Sequence, residues 1–149
     1  MVRPTRRTPR VQPWLRALAV GRGLAPATGT AGLIDDIDLF ILVRNLLDNA
    51  IRFTPPGGRI DLAVQAGLEG VTLQIKDSGP GISVEEQALV FEPFYRSLGM
   101  GEVGSGLGLS IVSAIAERSG ATVELGFADE ATRRGLRVAV RLKPAAPSP

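Results

Sequence analysis

Asn45 and Asn49 stand one helical turn apart in Asn45-Leu-Leu-Asp-Asn49-Ala, and Arg52 follows three residues later. At about 100° per residue the three share one margin of a helix. Two amide oxygens stacked there can bind a hard divalent cation that bridges phosphates. On an isolated helix the same pattern is a polar flank that meets water. Three more segments follow in order: Asp77-Ser-Gly79-Pro-Gly81, Phe91-Glu-Pro-Phe-Tyr-Arg96 and Gly104-Ser-Gly106-Leu-Gly108-Leu. A carboxylate at a strand end can accept a hydrogen bond from the exocyclic amine of adenine, which guanine lacks at that edge. Taken alone, Asp-x-Gly-x-Gly serves ordinary turns and calcium loops as well. The glycines at 104–108 leave bare N–H groups ahead of a helix start, a ready anion site. A dinucleotide fingerprint would need glycine where Leu109 stands, and no early βαβ unit precedes it. No Walker-type lysine is present either. Together the four segments describe a pocket for a nucleoside triphosphate and its metal.

The elements that must position these residues are legible from periodicity. Over residues 38–53, Leu39, Leu42, Val43, Leu46, Leu47, Ala50 and Ile51 follow the i, i+3, i+4 rule of an amphipathic helix. Thr54-Pro-Pro-Gly-Gly58 ends it. Residues 59–65 and 71–77 alternate as strands around 66–70, a hairpin. Ser83 with Glu86 has capping-box spacing, which predicts a short helix. Residues 107–119 form a second amphipathic helix with Gly120 at its C-cap. Residues 122–127 and 136–142 read as closing strands around a turn at 129–135. Phe91, Phe94 and Tyr95 anchor a segment running to Val103, with glycines 99, 101 and 104, which suits a loop that closes over a ligand. Strands grouped in hairpins argue an α+β protein, a two-layer α/β sandwich, and not a doubly wound parallel sheet.

Composition limits the rest. The chain has 149 residues, enough for one domain, with 44% hydrophobic and 21% charged residues. It has no cysteine, which excludes disulfides and thiolate metal sites. It also has no histidine. The pI of about 9.7 is misleading. Residues 1–23 carry six arginines (3, 6, 7, 10, 16 and 22) and no acid; beyond them 11 basic residues face 15 acidic ones, net −4. An arginine-rich tail can touch nucleic acid or an anionic membrane, but Pro4, Pro9 and Pro13 interrupt it, and an unstructured tail is the expected reading. Arg6-Arg7 ahead of residues 14–20 has the look of a twin-arginine signal, yet the apolar stretch is short and contains Arg16. No run approaches the ~18 apolar residues of a membrane span. A cytoplasmic, soluble protein is expected.

The four segments resemble the N, G1, F and G2 boxes of the catalytic ATP-binding domain of two-component sensor histidine kinases. The resemblance covers roughly positions 31–143. It implies a Bergerat-type sandwich with a mixed, mostly antiparallel sheet covered on one face by three helices. Residues 1–30 would be a basic tail or remnant, 31–143 the ATP-binding domain and 144–149 a C-terminal tail. ATP and Mg²⁺ are the implied cofactors. Asn49 is implied as the Mg²⁺ ligand, with Asn45 near the triphosphate and Arg52 facing the phosphates. Asp77 is implied at adenine. Gly79, Gly81, Ile82, Phe91, Arg96, Gly104, Ser105, Gly106, Leu107, Gly108 and Leu109 are implied to line the nucleotide. In related gyrase-like ATPases the position of Asn45 is a glutamate that activates water. An amide cannot take that proton, whereas neutral imidazole is already nucleophilic, so Asn45 leans towards phosphoryl transfer to histidine.

The chain also departs from that family. Nothing upstream of residue 31 matches the dimerising helical hairpin that bears the phosphoacceptor histidine. Self-phosphorylation on histidine is therefore impossible for this sequence. The expected partner is a histidine-bearing domain or kinase chain acting in trans, with a response regulator served indirectly. A fragment and a truncated gene product stay open beside that. Only residues 14–20 or 31–34 could supply the strand that usually opens the domain. Two other functions share these motifs: a serine kinase of the anti-sigma-factor type, and a nucleotide-binding regulatory module without catalysis.

Overall fold

The computed structural model describes residues 34–67, 70–95 and 106–143. Arg96, Gly104 and Ser105 lie outside the described residues, as do positions 14–20 and 31–33 and both tails.

Helix α1 (Asp36–Phe53) begins two residues before the apolar periodicity does. The Asp35 carboxylate caps it by accepting from the Ile37 amide at 2.9 Å, and Asp36 and Asp38 complement the positive end of the helix dipole. Leu42, Leu46 and Ala50 form its buried stripe. It stops where the Thr54 amide returns to the Ala50 carbonyl, immediately before two prolines that cannot donate.

Strands β1 (Ile60–Gly67) and β2 (Gly70–Asp77) form the expected antiparallel hairpin. Alternation along β2 buries Val71, Leu73, Ile75 and Asp77 on one face. Helix α2 (Val84–Gln87) is a single turn, followed by a 3₁₀ turn at Leu89–Phe91. The Ser83 hydroxyl donates to Glu86 Oε2 at 3.1 Å and makes no bond to a helix amide, so the capping-box residues meet without capping the backbone. Helix α3 (Gly108–Ser119) ends at Gly120 in the left-handed conformation, φ 69°. Strands β3 (Thr122–Asp129) and β4 (Arg134–Leu142) are each longer than their apolar alternation and meet in a tighter turn.

The sheet order is β1-β2-β4-β3. All three pairings are antiparallel, so the expected mixed sheet is represented among the described residues by its antiparallel members alone. The helices cover one face of it, an α+β two-layer sandwich. Leu42, Leu46, Val112 and Ile115 from α1 and α3 pack on Leu73, Ile75, Val138 and Val140, and Ile34 packs at the margin of this core. Each fully buried aliphatic side chain there is worth about 1.5–3 kcal/mol. The pleat turns Thr72, Gln74, Lys76, Glu124, Arg137 and Arg141 to the opposite face. Arg118 on α3 grips the Asp38 carboxylate of α1 through two nitrogens, at 2.5 and 3.0 Å. No helix among the described residues is long and apolar enough to cross a membrane.

Candidate functional site

Helix α1 carries Asn45, Asn49 and Arg52 along the edge of its buried stripe. The Asn45 amide nitrogen donates to the Ile41 carbonyl one turn back, at 2.8 Å. That bond holds the side chain by its nitrogen and leaves Oδ1 on the side of α3. A Cβ at Gly108 would stand 3.7 Å from that oxygen. The first residue of α3 therefore sits against the asparagine face of α1, which joins the N and G2 segments. Leu107 stands at the N-cap of α3 and provides no side-chain cap, so the first amides of the helix keep their donors. Asn49 is partly exposed and its amide makes no hydrogen bond to another described residue. Arg52 is exposed in the last turn of α1.

At the other end of the site, β2 runs out at Asp77, 5% exposed and the one buried charged residue among those described. Its Oδ1 accepts from the Gly79 amide at 2.8 Å and from the Leu136 amide at 3.2 Å. Burial pushes this carboxyl above its ordinary value of 3.8, and the two amide hydrogen bonds pull against that. Both of these bonds fall on Oδ1, and Oδ2 makes none to a described residue. Gly79 lies under the end of α1, where an added Cβ would be 2.6 Å from the Phe53 carbonyl. Since Phe53 is one turn beyond Asn49, the Asp77 loop meets the end of the helix that carries the asparagines. Ile82 packs at the core margin, and its carbonyl accepts from Gln87 Nε2 at 3.2 Å.

The F segment is pinned from two sides. The Phe94 amide donates to the Gly106 carbonyl at 3.1 Å, with Phe94 itself at φ 65°. Glu86 takes Tyr95 Oη at 3.0 Å on one oxygen and Ser83 on the other. Phe91 lines a groove of about 320 Å³ with Ser113, Ala116 and Glu117 of α3 and with Ala121 and Val123. Its side chain acts as an anchor there. The Leu109 side chain is buried in the core, so only its backbone is available to a ligand. Leu107 and Gly106 lie at the mouth of α3, partly exposed.

The donor set is compatible with a divalent cation of limited protein ligation. Among the described residues no group of three or more carboxylate, thiol or imidazole side chains could cage a metal. A cation at the unengaged Asn49 amide oxygen would take its other ligands from phosphate and water, the habit of Mg²⁺.

The family model described as "Histidine kinase-, DNA gyrase B-, and HSP90-like ATPase" matches residues 34–146. The chain belongs to this ATPase family. Its similarity is to the ATP-binding catalytic domain of sensor histidine kinases. It is 46% identical over 92 residues to the sensor protein QseC of Escherichia coli, covering 62% of this chain and 20% of that one. It is 43% identical over 110 residues to the sensor kinase PmrB of Pseudomonas aeruginosa, covering 71% and 22%. The chain thus spans about a fifth of the length of these relatives. Among solved structures, a mycobacterial sensor histidine kinase MprB matches with a TM-score of 0.66 and 38% identity, over 74% of this chain and 72% of that one. The catalytic domain of histidine kinase ThkA matches with a TM-score of 0.64 and 26% identity, over 74% and 68%. For this ATPase domain the expected sandwich class is therefore the observed one.

Periodicity and motif reading did not single out Gly135 or Leu136, although both touch the Asp77 loop. The Gly135 amide donates to the Gly79 carbonyl at 2.9 Å. A glycine closing the 129–135 turn was the available signal.

Proposed function

We propose that this ATPase domain is the catalytic module of a sensor histidine kinase, binding Mg-ATP and passing the γ-phosphoryl group to a histidine on another domain or chain. The observation that carries the reading is the contact of Gly108 with the Asn45 side chain, which brings the amide face of α1 to the uncapped start of α3. A triphosphate laid there meets backbone N–H groups on one side and amide oxygens on the other. Asp77 holds the base through its free oxygen, and Arg52 supplies charge at the phosphate end. The domain resembles ShkA, which was solved in complex with AMPPNP, at a TM-score of 0.62 and 28% identity. Arg96, Gly104 and Ser105 are proposed to complete the phosphate end.

When bound at Asn49, Mg²⁺ would neutralise charge on the phosphate oxygens. The chain's own residues orient the triphosphate. A neutral imidazole nitrogen of the acceptor then attacks Pγ as the bond to the β–γ bridging oxygen breaks. The electron pair of that bond leaves with ADP, and the acceptor keeps a phosphoramidate. No carboxylate stands at position 45 to draw a proton from water, so transfer to imidazole is favoured over hydrolysis. This sequence contains no histidine, so the acceptor lies on another domain or chain, and a response regulator would receive the group next. A cytoplasmic setting follows from the ATP supply.

Incubating the chain with labelled ATP, Mg²⁺ and a kinase hairpin carrying the acceptor histidine should give acid-labile, base-stable label on the hairpin. Label on a serine of the partner would favour the anti-sigma-type kinase. Saturable ATP binding with no label on any partner would favour a nucleotide-binding module without transfer.

A further inference from the structure

We infer that Gly135 and the backbone amide of Leu136 are positioning groups for base recognition, acting through Asp77. The inference rests on the proposed role of Asp77 at adenine. The carboxylate sits at the end of β2, and nothing on β2 itself fixes which oxygen faces the ligand. The opposing strand does. Leu136, 59 residues further along the chain, donates its amide to Oδ1 at 3.2 Å. Gly79 donates to the same oxygen at 2.8 Å. With two donors on Oδ1, rotation of the carboxylate is blocked and Oδ2 is presented as acceptor.

Gly135 holds the backbone around that carboxylate. Its amide donates to the Gly79 carbonyl at 2.9 Å, tying β4 to the glycine loop. Its carbonyl would stand 2.8 Å from a Cβ at Gly81, so loop and strand touch on both sides of the residue. Gly135 has φ +70°, and an added Cβ would drive into the Asp77 carbonyl and stand 2.7 Å from Ala128 Cβ. No side chain fits there without moving Asp77. The turn that delivers Gly135 is ordered by Asp129, whose Oδ1 accepts from the Ala131 and Thr132 amides at 3.0 and 3.3 Å. Arg133 at φ 52° completes the reversal. The β3–β4 turn, remote in sequence from every nucleotide motif, thus sets the orientation of the base-reading group.

The test compares affinities for ATP and for purine riboside triphosphate, which lacks the exocyclic amine. The wild-type chain should prefer ATP by roughly tenfold or more. Gly135→Ala should lose most of that preference by weakening ATP and sparing the analogue. Gly120→Ala has the same left-handed strain (φ +69°) with open space around it, and should keep the preference. In an Asp77→Asn background, Gly135→Ala should cost nothing further, because both act through one carboxylate. Replacing Leu136 by its α-hydroxy analogue deletes the single N–H without altering a side chain, and reads the same preference should the alanine variant fail to fold. A wild-type preference that survives both changes at 135 and 136, or additive losses in the double variant, would overturn the inference and leave the Asp77 assignment standing. A wild-type chain with no preference removes Asp77 from the base, and the inference with it.

Discussion

Asp77→Asn is expected to weaken ATP binding by roughly ten- to a hundredfold while the chain stays folded. The substitution keeps size and shape, so the strand end and the Gly79 contact survive. What is lost is a charged acceptor. Two amide donors already face Oδ1, so the asparagine oxygen is drawn to them and its NH₂ group is turned to the ligand's amine. Two donors then face each other. Stability should not fall, because a neutral amide is cheaper to bury than a carboxylate. Calorimetric titration with ATP, beside a thermal melt, checks both halves. Affinity equal to wild type would take Asp77 out of the site.

A pH signature accompanies that loss. Burial raises the Asp77 carboxyl in the folded chain, so the native state holds this proton more tightly than the unfolded one. Between the ordinary value of 3.8 and the raised one, the group's contribution to stability therefore declines as pH rises. Binding runs the other way, since only the carboxylate accepts from the amine, and ATP affinity should rise through the same window. The Asp77→Asn chain should lack both trends, which separates this group from the titration of the phosphates.

Asn49→Ala should abolish the gain in ATP affinity that Mg²⁺ brings, while affinity without metal changes little. The reason is the division of labour along α1. The Asn45 amide is committed to its own helix through Ile41, and its oxygen faces Gly108. Asn49 has no such commitment among the described residues and offers the next amide oxygen along the helix. With no carboxylate cage nearby, one lost oxygen removes the protein's direct hold on the ion. Titrations with Mg²⁺ and with EDTA read the difference directly. A metal-dependent gain preserved in the variant would reassign the ligand.

Much of this was legible in the chain because the decisive information was local. The apolar stripe of Leu42, Leu46 and Ala50 set α1 and so fixed which margin Asn45 and Asn49 occupy. The alternation Val71, Leu73, Ile75 set β2 and put Asp77 on its buried face. Boundaries were read less well where capping, not periodicity, sets them. Asp35 begins α1 ahead of its first apolar residue, a signal that two adjacent acids obscure. The Ser83–Glu86 pair has the spacing of a cap but spends its bond side chain to side chain. The strand order β1-β2-β4-β3 and the Leu136–Asp77 contact depend on pairing between distant segments, which no local pattern encodes. Phe91 reads as an aromatic anchor in the sequence, and its place beside α3 in the groove with Ala116 and Val123 depends on packing between distant segments.

The proposed ATP site lies between α1, the Asp77 loop and the start of α3 and depends on a metal. Calorimetric titration of the folded wild-type chain with ATP, with and without Mg²⁺, tests it most directly. Saturable binding at one site, tightened by Mg²⁺, is the predicted result. A folded chain that takes up no ATP, or binds it equally well with the metal chelated, would rule out a metal-dependent ATP site here.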